Sequence, residues 1–451
     1  MSYYILPRIN VQFAINIKLH DSKDGPIPCI SSSLLNYLTE SSVILDQQIV
    51  NNNQCLTMKM LSQVIHSHDY LFSNILGLNT PVSSLENVPH PVFYDFVEIY
   101  TTLKLKDTVC PGIQRGLFCG KNASIIRKAY EFVLSTDKLN TIIVDKFKSS
   151  ARSQKSVSHE LFDEYSRFPY SNKLHHSMSF IYIEAPADCY TKINEYVLFV
   201  LKSVMMVMKY QSVCGCFVMK VGNILYKPII DLIYIITSMY SKTYIMKPNT
   251  SNVITDERYI VCKSFTSCDH IDYQKIGNIY NNLKTNMYTV TVASLLDNLL
   301  YNYFLNKVEE SNVIIGQQKL DAYAQLITIL KSKNKLDKID ILKKHNIQKC
   351  MYWCEKFGVP CNKVVDKNTS LLTFIEKSNL HSGYYDIPDA NIEDIFYTYM
   401  KKNYGYVEEP CSQELGDSTD IIDARQLELY RKNERTGTRR GEYHTYGICS
   451  K

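Results

Sequence analysis

From Pro91 onward, short apolar runs alternate with longer stretches whose apolar residues recur at helical spacing. Phe93–Lys104 reads as a helix, Gly116–Gly120 as a short strand, Asn122–Leu134 as a helix and Thr141–Lys146 as a strand. The polar, Ser-rich residues 147–178 interrupt the pattern as a long loop with one short strand near its end. The alternation then resumes, with Ser179–Ala185 as strand, Tyr190–Tyr210 as helix and Cys216–Val221 as strand. Pro228–Tyr240 follows as a helix whose proline stands in the first turn, where its missing N–H costs nothing. Thr243–Lys247 and Arg258–Lys263 close the unit as strands. Apolar strands alternating with helices predict an α/β fold, a mostly parallel sheet covered on both faces. The last two strands are joined by polar residues with no helix between them, which predicts an antiparallel pair at the sheet edge.

The flanks carry weaker patterns. Residues 1–90, with strand-like Ile9–Ile17 and helix-like Leu34–Leu45 and Leu56–His66, read as an N-terminal extension packed on the core. Residues 91–268 form the α/β domain. Beyond it, Ile271–Tyr303, Ile314–Lys333 and Leu336–Phe357 are amphipathic at helical spacing and predict a helical C-terminal domain over residues 269–404. Residues 405–451 are polar and read as a flexible tail. Its basic run Arg431–Arg440 reads as a solvated terminus ahead of an RNA-binding arm.

Composition changes this picture little. A length of 451 residues allows two or three domains. A net charge of +5 over that length leans only weakly toward an anionic partner. The two most apolar stretches, Tyr196–Met208 and Ile229–Tyr240, are interrupted by Lys202 and Asp231 and are too short to span a bilayer. They read as buried helices, and no membrane association is expected. Met1–Gln12 lacks a basic region followed by an apolar core, so no signal peptide is expected. The 14 cysteines are scattered, some inside predicted strands (Cys119, Cys216, Cys262), which favours a reducing compartment, by default the cytoplasm. Cys350, Cys354 and Cys361 have a spacing that invites a metal reading, but Cys350 and Cys354 share a helical face beside Met351 and Trp353, which favours core packing. His66-x-His68 and His175-His176 lack partners at ligand spacing.

Three ordered segments carry chemistry. They are Gly215-Cys216-Phe217-Val218-Met219-Lys220-Val221, then Lys247-Pro248-Asn249-Thr250-Ser251, then Asp256-Glu257-Arg258-Tyr259-Ile260-Val261-Cys262-Lys263. Together they resemble the FtsJ-like RNA ribose 2′-O-methyltransferases, whose patterns run roughly G-G-x-F-V-x-K-V, K-P-x-x-S-R and S-E-R-Y-I-V-C. The resemblance implies a Rossmann-like methyltransferase domain, S-adenosylmethionine as cofactor and RNA, including the 5′ cap region of mRNA, as partner. Similar domains with helical C-terminal extensions occur in large DNA viruses, and the abundance of Tyr, Ile, Asn and Lys suits AT-rich codons.

A ribose 2′-hydroxyl is a poor nucleophile, so methylating it requires a cation near the developing alkoxide and carboxylates to orient that cation. The resemblance implies a Lys-Asp-Lys-Glu tetrad at the carboxyl ends of the strands. Lys220 matches its central lysine and Glu257 its final glutamate. Glu184, in Phe180-Ile181-Tyr182-Ile183-Glu184-Ala185-Pro186, stands where the family has aspartate. Asp95, in Phe93-Tyr94-Asp95-Phe96-Val97-Glu98-Ile99, stands where the family has its first lysine, and nothing in the spacing argues for Lys104 or Lys106 as a substitute. The implied catalytic set is thus Lys220, Glu257 and Glu184. For the cofactor the family uses a glycine-rich loop after its first strand, where this chain keeps Gly120 alone. The adjacent Lys121 would bring a cation toward an already positive sulfonium. Asp145 ends the second strand, where an acidic residue binds the ribose hydroxyls, although a strand-end aspartate is equally a common loop starter. Two functions follow as expectations. One is an S-adenosylmethionine-dependent RNA 2′-O-methyltransferase. The other is a catalytically inactive protein of that fold, an RNA-binding or scaffolding partner in a capping assembly.

Overall fold

The structure, a computed structural model, describes residues 2–21, 27–51, 65–75, 80–85, 90–108, 115–134, 140–144, 175–185, 187–286, 289–332 and 335–362. In chain order its principal elements are β1 (Ser2–Leu6), β2 (Ile15–Asp21), α1 (Ser32–Asn51), α2 (Pro91–Thr102), β3 (Arg115–Cys119), α3 (Ala123–Leu134) and β4 (Asn140–Val144). Then follow β5 (Met178–Glu184), α4 (Ile193–Tyr210), β6 (Gln211–Val221), α5 (Lys227–Met239), β7 (Tyr240–Lys247) and β8 (Arg258–Phe265). The last are α6 (Tyr273–Asn286), β9 (Val290–Leu296), α7 (Asn302–Lys331) and α8 (Lys335–Phe357).

Among the described residues one sheet has seven strands, ordered β4-β3-β5-β6-β8-β7-β1. The first four run parallel; β8 is antiparallel to β6 and β7, and β1 is antiparallel to β7. The carboxyl ends of β3, β5, β6 and β7 and the amino end of β8 therefore share one edge. This α/β arrangement is compatible with a Rossmann-like fold.

Strand alternation sends successive side chains to two separate cores. On one face Ile181, Ile183, Phe217, Met219 and Ile260 pack with α4 and α5. On the other, Phe180, Tyr182, Val218, Tyr259 and Val261 pack with α2 and α3, where Tyr130 stacks on Phe180 at 4.6 Å. The two apolar stretches are buried helices, as the sequence predicts, and no helix among the described residues is long and apolar enough to cross a membrane. Asp231, the charge inside the second stretch, is fully buried. It pairs with Lys227 and accepts the Leu295 and Leu296 amides, so the polar interruption anchors β9.

In three places the structure departs from the pattern of the sequence. The β7–β8 pair is antiparallel as expected, but it is not the edge of the sheet. β8 lies inside, and β1 covers β7 in register from Ser2↔Lys247 to Leu6↔Thr243. The strand-like segment Ile9–Ile17 is mostly irregular, with β1 before it and β2 beginning at Ile15. Ile271–Tyr303 is not one helix, because α6 gives way to β9, whose Val-Thr-Val run pairs antiparallel with β2. A partner distant in sequence satisfied these backbone groups, and local periodicity cannot register such a partner. α7 runs 30 residues and packs Ala322, Tyr323 and Leu326 against Leu45 of α1. Cys350, Cys354 and Trp353 of α8 lie in the α2–α3 core. Cys119, Cys216 and Cys262 are buried in β3, β6 and β8, and burial pushes each thiol up. Residues 56–64, nearly all of one predicted helix, the loop over 145–174 and the basic tail lie outside the described residues.

Candidate functional site

Lys220 is the penultimate residue of β6, and its register neighbours are Glu184 on β5 and Tyr259 on β8. Its Nζ lies 2.8 Å from Glu257 Oε2; the lysine side chain is 10% exposed and the glutamate 32%. Burial works against the lysine's charge, but Glu257 and Glu184 outweigh it and hold the pKa above its ordinary value. The group is therefore an ammonium at neutral pH. It can stabilise an oxyanion or donate hydrogen bonds, and it cannot act as a base.

Glu184 ends β5 and points inward, 2% exposed. The Asn122 backbone amide donates to its Oε1, Asn122 Nδ2 donates to Oε2 at 3.3 Å, and Tyr182 OH donates to Oε2 at 3.0 Å. Burial raises its pKa, opposed by Lys220 and by these donors. Asn122 immediately precedes α3, so the carboxylate occupies one of the free amides at a helix N-terminus, where negative charge is favoured. Gly120 is pressed against the same residue: a Cβ there would overlap Glu184 Cγ and lie 2.9 Å from its carbonyl oxygen. With φ at +129°, Gly120 also adopts a backbone conformation that side chains resist.

Asp95 and Glu98, one helical turn apart on α2, are both buried. Asp95 accepts from Thr250 Oγ1 at 2.6 Å, Ser251 Oγ at 2.8 Å and Tyr259 OH at 2.9 Å. Glu98 accepts from the Asn249 amide at 3.0 Å, the Thr250 amide at 3.4 Å and Trp353 Nε1 at 3.0 Å. The Asn249-Thr250-Ser251 stretch is thereby fastened to α2 by two carboxylates. Lys104 lies beyond the end of α2, and its carbonyl accepts from Lys263 near the far end of β8.

Lys247, whose role residue spacing alone does not assign, is buried beside this cluster. Its Nζ donates to the carbonyls of Thr255 at 2.7 Å and Glu257 at 2.9 Å, fixing the backbone that presents Glu257. Burial and then Arg258 push its pKa down to about 7, against Asp256, Asp95 and Glu257. An unfolded lysine titrates at about 10.4, so between these values the unfolded chain holds more protons than the fold. Stability from this group is complete above the unfolded value and is lost as pH falls toward the folded one. Raising the pH from 7 to 8.5 is expected to stabilise the protein by about 1.5–2 kcal/mol. Denaturant unfolding over that range should show the slope in wild type and not in Lys247→Met; equal slopes would discard the assignment.

The structure thus brings Lys220, Glu257 and Glu184 together at the carboxyl edge, with Asp95 close enough to act electrostatically on Lys220. Gly120 meets Glu184, and Asp145 lies outside the described residues. Tyr182, Tyr259 and Lys247 complete the cluster. Lys247 and Tyr259 carried a signal in the sequence, as members of their motifs, whereas nothing marked Tyr182 for a role.

No known family profile matches the chain. Over 116 residues, 24% of its length, it is 30% identical to the cap-specific mRNA (nucleoside-2′-O-)-methyltransferase 1 of Dictyostelium discoideum, covering 14% of that protein. Over 171 residues, 38% of its length, it is 23% identical to an uncharacterized protein of Acanthamoeba polyphaga mimivirus, covering 46% of it. The chain therefore spans less than half of either relative. The first likeness, partial and distant, points toward methyltransferase character and no further.

Proposed function

We propose that this chain is an RNA-binding protein built on the ribose 2′-O-methyltransferase plan, with the α/β domain over residues 91–268 as its binding unit, and that it does not transfer methyl groups. The observation that carries this reading is the divergent fate of the two carboxylates flanking Lys220. Glu257 faces outward beside the ammonium, and Glu184 faces inward onto the loop at Gly120. A ribose 2′-hydroxyl both donates and accepts, so it suits a Lys–Glu pair, accepting from Lys220 and donating to Glu257. Deoxyribose lacks that group.

The residues of the loop do not fit S-adenosylmethionine. A methionine carboxylate needs free backbone amides and close approach across glycines. Here the Asn122 amide is already held by Glu184, the glycine nearest it is packed against Glu184, and Lys121 is the next residue. With Asp95 committed to Thr250, Ser251 and Tyr259, the leading lysine of the implied tetrad also has no counterpart there. The binding partner is RNA of the capped-mRNA class, in the cytoplasm and in the company of an active capping enzyme.

The Lys220–Glu257 pair also favours a second reading, an active cap-region 2′-O-methyltransferase, because a permanently charged lysine stabilises a 2′-alkoxide. Two measurements on the full chain separate the readings. Calorimetry with S-adenosylmethionine is expected to show no heat of binding, and micromolar binding would instead establish the second reading. Fluorescence anisotropy is expected to show tighter binding of an RNA oligonucleotide than of DNA of the same sequence, with the difference lost in Lys220→Ala. Equal affinity for RNA and DNA would remove the ribose-reading role.

A further inference from the structure

We propose that the cavity between α1 and α7 holds one nucleotide of the bound RNA, its phosphate on Arg258 and Lys319 and its base against Leu34 and Leu38. This inference rests on the RNA-binding reading above and adds a place for the nucleotide beside the one at Lys220. The cavity has a volume of about 280 Å³, near the lower end for a small-molecule site and suited to one nucleotide.

Its position follows from the entry into β8. Asp256 and Glu257 lead into the strand that Arg258 opens; Glu257 pairs with Lys220, while Asp256 and Arg258 line the cavity. An RNA strand crossing the carboxyl edge with a ribose at Lys220–Glu257 thus meets Arg258 within one residue's reach.

The lining divides into two halves. On the polar side, Arg258 is 4% exposed, with Nη1 donating to Asn312 Oδ1 at 2.7 Å and Nε to the Asp256 carbonyl at 3.3 Å. Lys319 Nζ lies 2.8 Å from Asp256 Oδ1. Two cations against one carboxylate leave a single positive charge, the complement of a phosphodiester. Arginine's planar fork matches phosphate oxygens, and a buried guanidinium needs such an anion. Asn223 Oδ1, also on this wall, is buried without a hydrogen-bond partner among the described residues. It calls for a donor, which a base amino group or a ribose hydroxyl supplies. On the apolar side Leu34, Leu38 and Ile315 offer a surface for the face of a base.

The test uses the full chain with three probes: inorganic phosphate, the four nucleoside 5′-monophosphates and a short RNA oligonucleotide. Leu38→Trp fills the cavity from a half-buried helix position, so it should fold normally, and a melting temperature within a few degrees of wild type checks this. Lys319→Ala and Arg258→Gln remove the cations. Saturable monophosphate binding is expected for wild type, lost in Leu38→Trp. RNA affinity should fall roughly tenfold in Lys319→Ala, the scale of one charge-assisted hydrogen bond, with the salt slope reduced by about one. Unchanged RNA affinity in both Leu38→Trp and Lys319→Ala overturns the proposal. Inorganic phosphate binding as well as the monophosphates also overturns it, leaving a plain anion site. If wild type binds monophosphates through this cavity but no RNA, the cavity assignment stands and the broader RNA reading falls.

Discussion

Asp95→Ala is expected to destabilise the protein by roughly 3–5 kcal/mol, because one carboxylate serves three buried donors. Ser251 Oγ and Tyr259 OH would lose their acceptor inside the core, and Thr250 Oγ1 would keep only Glu98 Oε2 at 3.4 Å. An opposing effect exists: burial raises the pKa of Asp95, so its own charge is costly where it is. Two orphaned donors at about 1–3 kcal/mol each, with a third left on one long bond, outweigh that relief. Asp95→Asn keeps one acceptor oxygen and should lose about half as much. Asp95→Lys should be worst, since an ammonium cannot accept from any of the three. Urea unfolding of the three variants gives the ranking, and a midpoint for Asp95→Ala equal to wild type would refute the account. The same experiment bears on function, because it asks whether this position serves a site or the architecture.

Gly120→Ala carries the second large effect. Its Cβ would overlap Glu184 Cγ and be placed 2.9 Å from the Glu184 carbonyl oxygen, at a φ of +129°. Backbone strain of about 1–3 kcal/mol and overpacking of about 1–3 kcal/mol give an expected loss of roughly 2–6 kcal/mol. Combining it with Glu184→Ala removes the side-chain part of the clash and leaves the contact with the carbonyl. The double variant should therefore recover part of the loss, with a coupling energy of about 1–3 kcal/mol between neighbours in contact. Additive effects would show that Glu184 and Gly120 do not press on one another, and the account of the loop closed by Glu184 would fail with them.

These two residues also show how far sequence reasoning reached. Gly120 was legible as the surviving glycine of a loop, and Glu184 as an acidic residue at a strand end. That each abuts the other, and that the carboxylate lies on the Asn122 amide instead of facing outward with Glu257, depends on a rotamer and on strand register. Neither has a trace in residue spacing. Lys220 and Glu257 were easier, because both stand at strand ends that the α/β alternation brings to one edge. The Lys247-Pro248-Asn249-Thr250-Ser251 motif was legible as a signature, yet its work here is mechanical: Lys247 holds two carbonyls, and Asn249, Thr250 and Ser251 fasten the loop to α2.

By itself the sequence determined the alternation of elements between Pro91 and Phe265, the buried character of α4 and α5 and the antiparallel β7–β8 pair, since periodicity and apolar runs are local properties that survive any packing. It also determined which residue types are present for chemistry. Only the tertiary structure decided that β1 closes the sheet, that β2 and β9 pair although far apart in sequence and that Asp231 and Asp95 are internal acceptors instead of surface charges. The reason is common to all of these. A backbone ladder or a buried carboxylate is stable only once a distant donor arrives to satisfy it, and that donor is chosen by the fold as a whole.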